Sequence, residues 1–263
     1  MIVDVGFLAT WGPLVCVCLF AGMLVSHELG RRLGVRRRAK DLEGARLGLS
    51  PVESATFGLL GLLIAFTFSG AVSRFDARRH LITEEATRIE EAWLRVDLLA
   101  EGEQPPMREY FRNYVDSRLA TYQKLPDLDA ATAELAHSRT LQRTIWKRAV
   151  SATRDTIPPA TGNLLLSSVN DMIAITTERT MAAKMHPPGI IYGMLFGSAL
   201  MAALLAGYNS AGGTTRGWLH AIGLAAIVSA ALYVIVDIEH PRLGLVRVDS
   251  ADQVLHELRR SMD

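Results

Sequence analysis

The chain has 263 residues, of which 49% are hydrophobic, and its formal net charge is +1. These totals suit a globular protein, but the distribution of charge excludes an ordinary soluble domain. Four runs lack Asp, Glu, Lys and Arg altogether, and each is long enough to cross about 30 Å of hydrocarbon as a helix. The runs are 5–26, 54–73, 187–215 and 217–236. The sequence therefore predicts an all-α integral membrane protein with four transmembrane helices.

The first run carries both cysteines of the chain, Cys16 and Cys18. Residues two apart on a helix point to different faces, so this pair is expected to form neither a disulfide nor a metal site. A short loop, 28–50, follows and holds seven Lys or Arg against three acidic residues. We expect residues 1–73 to form a pair of spans joined by this basic loop.

The second run passes into charged sequence without a proline or a turn signal, and Arg74, Arg78 and Arg79 follow it closely. A membrane helix that continues as a charged helix outside the bilayer suits a pore or a signal-transmitting element. In a pore, these three arginines would supply the charge of a vestibule.

Two patterns overlap within the second run. Small residues four apart, which let helices approach closely in a membrane, are Gly61, Ala65 and Ser69. Bulky apolar residues occupy the other faces, and in a symmetric oligomer such a face would form stacked rings able to gate a pore by dewetting. Contact with lipid is the alternative. The bulky residues are Phe57, Leu60, Leu62, Ile64, Phe66 and Phe68.

Residues 74–186 form one polar block, in which 16 basic residues balance 16 acidic ones. That balance argues against a nucleic-acid partner. Three proline pairs punctuate the block, and proline is tolerated in the first turn of a helix but breaks the helix before it. We therefore expect an extramembrane bundle of helices near 75–101, 105–124, 129–156 and 159–185.

The third and fourth runs form a second pair of spans over 187–236, followed by a polar tail over 237–263. Gly189, Gly193 and Gly197 are four apart in the third run, and close packing within the chain is the simplest use for them. None of the four runs holds a charged residue. This argues against an ion pump or a proton-coupled transporter and leaves passive conduction or signalling.

Motifs of catalysis are missing from the sequence. It contains no Gly-rich phosphate loop, no cysteine pair at metal spacing and no HExxH. We expect neither an enzyme nor a resident metal or cofactor. Asn170 and Asp171 interrupt the apolar stripe of the last bundle helix, and they suit either a subunit contact or a solvated helix surface.

Four segments together resemble a family of bacterial membrane proteins described as bestrophin-like. They are FGLLGLLIAFTFSGAVSRFDARR, EEATRIEEAWLR, SSVNDMI and VDIEHPRLGLVRV, and the resemblance covers nearly the whole chain. The family is distantly similar to the bestrophins, which are pentameric and mostly anion-selective channels. The resemblance implies a multi-pass protein of the bacterial inner membrane that self-associates, contacts lipid and passes inorganic ions, anions rather than cations.

The resemblance also implies where the pore would be narrow. The bestrophin neck is lined by three bulky apolar residues, four apart, on the second span. On that pattern the neck of this chain consists of Gly58, Leu62 and Phe66, and Gly58 would leave the outermost ring wide or missing. Phe57, Ile64 and Phe68 are the alternative pore-facing residues. The acidic residues after the last span are scattered, so no calcium site is implied.

The family resemblance and the distribution of basic residues predict opposite orientations in the membrane. The resemblance implies that both termini and the polar block lie in the cytoplasm. Near the ends of the spans, however, eight basic residues lie on the side of the first loop and six on the side of the block. The positive-inside rule therefore favours, narrowly, a cytoplasmic first loop.

The leading functional hypothesis is a homo-oligomeric, pentameric channel whose second span lines the pore. The alternative is a non-conducting membrane sensor or scaffold. In that case the helical bundle would bind a partner or ligand, and the second span would relay the change.

Overall fold

The computed structural model describes residues 5–40, 50–125, 127–154, 157–211, 217–240, 245–246 and 249–263. These residues form eight α-helices and one 3-10 helix, and no strand occurs among them. The helices are α1 (Val5–Arg38), α2 (Ser50–Leu94), the 3-10 helix (Arg95–Leu98), α3 (Gln104–Gln123), α4 (Leu128–Arg154), α5 (Pro159–Lys184), α6 (Gly189–Ser210), α7 (Trp218–Glu239) and α8 (Asp249–Ser261). The all-α prediction is confirmed.

Within the described residues, four helical stretches are long and apolar enough to cross a membrane, and each overlaps one of the charge-free runs. They are Gly12–Arg38, Pro51–Leu98, Pro159–Ser210 and Trp218–Glu239. Helix α2 alone has 45 residues, or about 68 Å at 1.5 Å per residue. That is more than twice the thickness of the hydrocarbon core, so α2 is much longer than its charge-free run.

Proline sets the helix starts where the sequence predicted them. Helix α3 has proline in its first turn, α5 begins at Pro159, and α6 begins directly after Pro188. The first bundle helix differs from the expectation only in its last turn, which tightens into the 3-10 helix.

The basic segment after the first run is helical at its beginning rather than a loop. Helix α1 continues to Arg38. Glu28 accepts hydrogen bonds from Arg31 and Arg32 at 2.9 and 2.8 Å, and such pairs three and four apart support a helix. The expectation of a loop over 28–50 is therefore wrong for its first part, while its later part lies largely outside the described residues.

The chain divides into two compact units. The span unit consists of Met1–Ser73 with His186–Leu245, and the bundle unit consists of Arg74–Met185 with Val246–Asp263. In the span unit, α1 packs along α6 and α7. The closest approach is between α1 and α6, where a Cβ on Gly207 would lie 1.9 Å from the carbonyl oxygen of His27.

The bundle unit has a continuous apolar core to which every one of its described helices contributes. Fully buried members include Ile89, Phe111, Ile145, Val169 and Leu255. The last of these lies on α8, in the part of the chain expected to be a polar tail. Apolar residues three and four apart make α8 amphipathic, so the helix can cover the core with one face.

Candidate pore neck and buried charge network

Leu62 and Phe66, the two bulky residues of the expected neck, are exposed on α2. Their accessible fractions are 51% and 68%. At 100° per residue they lie on the side of the helix opposite Leu60 and Ala71, which are buried. Gly58 shares their side, and a Cβ on it would meet nothing within 4 Å. In a membrane this face meets lipid, another copy of the chain or the lumen of a pore.

The alternative pore-facing residues occupy a different side of α2, nearer the packed side. Phe57 and Ile64 are half-buried, and Phe68 is 43% exposed. Their side chains pack partly within the chain. They therefore offer less free apolar surface to a pore than Leu62 and Phe66 do.

The predicted small-residue stripes make little contact with the described part of the chain. Gly61, Ala65 and Ser69 are all exposed, and a Cβ on Gly61 would meet nothing within 4 Å. The same is true of Gly193 and Gly197 on α6, while Gly189 is half-buried. The third run was expected to pack within the chain through Gly189, Gly193 and Gly197. The structure corrects this expectation, because the opposite face of α6 is the buried one.

The three arginines expected to line a vestibule have different environments. Arg79 is exposed and lies 4.0 Å from the carboxylate of Asp76, whereas Arg74 is half-buried. Arg78 is buried, and its guanidinium donates to the carbonyl oxygens of Ala182 and Met185 at 3.2 and 2.8 Å. It therefore caps the end of α5, where helix carbonyls lack backbone partners and carry partial negative charge.

We expect Arg78→Gln to lower the free energy of unfolding by about 2 kcal/mol, because charge-assisted hydrogen bonds to buried carbonyls are lost. Arg79→Gln, its exposed neighbour, should change it by less than about 0.5 kcal/mol. The comparison is made by thermal unfolding of both variants in the same detergent. Equal effects would contradict the capping role and restore Arg78 as an exposed vestibule charge.

A buried ion network, which the sequence patterns above do not predict, lies inside the bundle unit. Glu85 of α2 is fully buried. Its carboxylate accepts hydrogen bonds from Arg118 of α3 at 2.7 and 3.3 Å and from Arg179 of α5. Arg179 also donates to Asp252 of α8 at 3.1 Å. Two cations and two anions thus join four helices of the unit.

Aromatic and hydroxyl groups complete this network. Arg118 donates to the hydroxyl of Tyr122 at 2.7 Å, and the guanidinium of Arg179 lies 4.1 Å from the centre of the Tyr122 ring. The hydroxyl of Thr176 donates to Glu85 at 3.3 Å. Glu85, Arg118 and Arg179 therefore each have a polar or aromatic partner that offsets part of the cost of burial, although Nη1 of Arg118 is buried without a hydrogen bond to any of the described residues.

The environment keeps Glu85 ionised. Burial alone raises the pKa of its carboxyl group, but the adjacent Arg118 and Arg179 guanidiniums outweigh burial and lower the pKa to about 2. Burial and the Glu85 carboxylate raise the pKa of Tyr114 to about 12, so that hydroxyl remains protonated. Neither group changes charge near neutral pH.

The family model of the bestrophin-like domain matches residues 17–252. The chain belongs to the bestrophin-like family. The resemblance found in the sequence is therefore confirmed. Among curated proteins no match was found.

The bestrophin-like fold is also found among solved structures. A bacterial bestrophin homologue from Klebsiella pneumoniae, in a form carrying a point mutation, matches with a TM-score of 0.66 and 13% sequence identity. The match covers 92% of this chain and 98% of that chain. At this identity the likeness establishes the fold alone, so the role of each residue is argued from the geometry of this chain.

A signal for the buried network was present in the sequence of this bestrophin-like chain. Glu85 stands three residues after Ile82 and four before Ile89, so it interrupts an apolar stripe. Arg179 likewise stands seven residues after Met172 and three after Thr176, both of which are buried on the packed face of α5. Charged residues at core spacing on two helices, with opposite signs, indicate a buried pair.

Two of the acidic residues after the last span, Asp237 and Asp252, have structural partners. Asp237 accepts hydrogen bonds from the backbone NH of Leu245 at 2.9 Å and from Tyr233 at 3.4 Å, and Asp252 binds Arg179. Within the described part of the chain, no group of three or more His, Cys, Asp and Glu side chains could hold a metal ion.

Proposed function

We propose that the chain forms a homo-oligomeric ion channel, a pentamer, in which α2 lines the pore and Leu62 and Phe66 narrow it. The bestrophin-like family and fold support a channel in general. The observation that carries the pore assignment is the free face of α2, on which large apolar side chains four apart lie opposite the packed side. Five copies of that face around an axis would form two stacked apolar rings, which can gate by dewetting.

The proposal extends to the ion and the membrane. We place the channel in the bacterial inner membrane and propose that it passes anions. The resemblance to the mostly anion-selective bestrophins supports this choice. Arg79 is exposed one to two turns beyond the charge-free run and would add positive charge near the axis, of which Asp76, 4.0 Å away, offsets a part. The reversal potential in asymmetric chloride measures this selectivity.

Conduction is tested with purified protein in planar lipid bilayers. Leu62→Ala and Phe66→Ala should each raise the current severalfold, because they widen and hydrate an apolar ring. Gly58→Leu should lower the current, since the space beside Gly58 accepts a side chain. Ile227→Ala is the matched control, because Ile227 is 71% exposed on α7 and is assigned to lipid.

Copy number is measured on the same preparation by single-particle imaging. Five copies around a central hole support the channel. The absence of current in the bilayers, together with a particle of one or two copies, would contradict the proposal.

A non-conducting sensor is the second candidate, and the Glu85 network is the observation that favours it. Helix α2 carries both the charge-free run and Glu85, so a change in the bundle unit can act directly on the helix that enters the membrane. Silent bilayers with a stable dimer and no axial hole would favour this sensor over the channel.

A further inference from the structure

A cavity of about 430 Å³ lies in the bundle unit between α4 and α5. Its size falls within the range of pockets that bind small molecules. Three cations of α4 line it at a spacing of four residues: Arg139, Arg143 and Lys147. That spacing places them on one face of the helix.

These three cations have no acidic counterpart at the cavity. None of the described residues that line it is a carboxylate, and among the described residues no ion pair involves Arg139, Arg143 or Lys147. Like charges four apart on a helix repel each other. A bound anion would relieve that repulsion.

The cavity also offers surface for a flat ring. Trp146 lines it between Arg143 and Lys147 in the chain, and 37% of its surface is exposed. Ile173 of α5 is half-buried and lines the same cavity. Indole beside guanidinium groups favours planar anionic molecules, because the ring stacks while the cations bind the charge. Asn170, which interrupts the apolar stripe of α5, adds a polar side chain.

The inner end of the cavity is held by the buried network. Gln142 and Thr176 line the cavity and are buried. Gln142 donates to the hydroxyl of Tyr114 at 3.1 Å, that hydroxyl lies 2.8 Å from Thr176, and Thr176 donates to Glu85 at 3.3 Å. This chain of hydrogen bonds makes the inner end rigid, as a preformed binding site requires.

We propose that this cavity binds a small aromatic anion, a planar ring that carries a phosphate or carboxylate group, with Arg143 binding the anionic group and Trp146 stacking on the ring. The site is independent of conduction. It gives the Asn170 segment a ligand-binding role in place of the solvated surface or subunit contact considered from the sequence.

The test uses the full chain in lipid nanodiscs and 1-naphthyl phosphate as the probe, with isothermal titration calorimetry. We expect saturable binding of one probe per chain. Arg143→Gln should weaken it about tenfold, the loss typical of one charge-assisted contact, and Trp146→Leu should weaken it to a similar degree. Arg154→Gln, an exposed position at the end of the same helix, should bind as the unaltered chain does.

Two further measurements distinguish binding in the cavity from partition of the probe into lipid and from a cavity that a neighbouring copy covers. Binding of 1-naphthol that is as tight as that of the phosphate, or unchanged binding in Arg143→Gln, would show partition into lipid and overturn the proposal. A cysteine introduced by Thr177→Cys should react with a charged thiol reagent, and the probe should slow that reaction. Complete lack of reaction without the probe would mean that a neighbouring copy covers the cavity, which would also overturn it.

Discussion

Glu85→Gln should lower the free energy of unfolding by about 3–5 kcal/mol, the range found when one partner of a buried ion pair is removed. The side chain is fully buried, and the substitution leaves Arg118 and Arg179 without their shared carboxylate. The amide keeps the shape but supplies neither the charge nor two acceptor oxygens. Thermal unfolding in detergent and the yield of folded protein measure the loss.

The control is the adjacent residue. Glu84 has the same side chain but lies at the surface, where it pairs with Arg88 at 3.5 Å. Exposed pairs contribute little, so Glu84→Gln should change the free energy of unfolding by less than about 0.5 kcal/mol. The double variant Glu85→Gln with Arg118→Met should lose less than the sum of its single variants, because it removes one uncompensated charge. Additive losses would contradict a coupled network.

The same network predicts a dependence on pH. The pKa of Glu85 is about 2 in the folded protein, against an ordinary value of 4.5. Because the folded value is the lower one, its stabilisation is fully present above about pH 4.5 and is lost as the pH falls toward 2. That difference is worth about 3 kcal/mol, in line with the expected cost of the substitution. Unfolding temperatures from pH 6 to pH 3 should fall less steeply in Glu85→Gln than in the unaltered chain.

The sequence was sufficient to predict features that depend on local composition. Charge-free runs of about 20 residues set the four spans, since only a helix satisfies its backbone in hydrocarbon. Proline pairs set the starts of α3, α5 and α6, since proline lacks an NH and is best tolerated in a first turn. Pro13, in the interior of α1, shows that this rule is a preference. Charge-free runs and proline pairs can both be recognised within one segment, without information about the helices that pack against it.

Features that depend on pairing were missed. Glu85 and Arg118 are 33 residues apart in the chain, and a count of charges treats both as solvated. Helix α8 was expected to be part of a polar tail, since its apolar residues become core only when the bundle unit covers them. Arg78 looks like an exposed vestibule charge in the sequence, because the helix that buries it, α5, begins 81 residues later.

Helix α6 shows the same difficulty for small residues. Two of its sides carry them: Gly193 and Gly197 on one, Ala199 and Ala203 on the other. Spacing alone cannot tell which face meets a neighbour. The structure buries the second set, together with Gly207 against His27 of α1, and leaves Gly193 and Gly197 free for lipid or another copy.

Gly207→Ala and Gly30→Ala should each prevent the native packing of α1 against α6. A Cβ on Gly207 would lie 1.9 Å from the carbonyl oxygen of His27, and a Cβ on Gly30 would lie 1.9 Å from that of Leu204. Both obstacles are backbone atoms, so the clash is relieved only by separating the helices. We expect a loss of at least about 3 kcal/mol for each, above the usual range for overpacking by a flexible side chain.

Gly193→Ala is the matched control on α6, because a Cβ there would meet nothing within 4 Å. It should be neutral or stabilising by up to about 1 kcal/mol, since alanine is the better helix former. Thermal unfolding of the three variants in one detergent makes the comparison. The opposite order, with Gly193→Ala the most damaging, would mean that the face carrying Gly193 and Gly197 makes the tighter contact. That contact would then lie between copies, since it is absent within the described part of the chain.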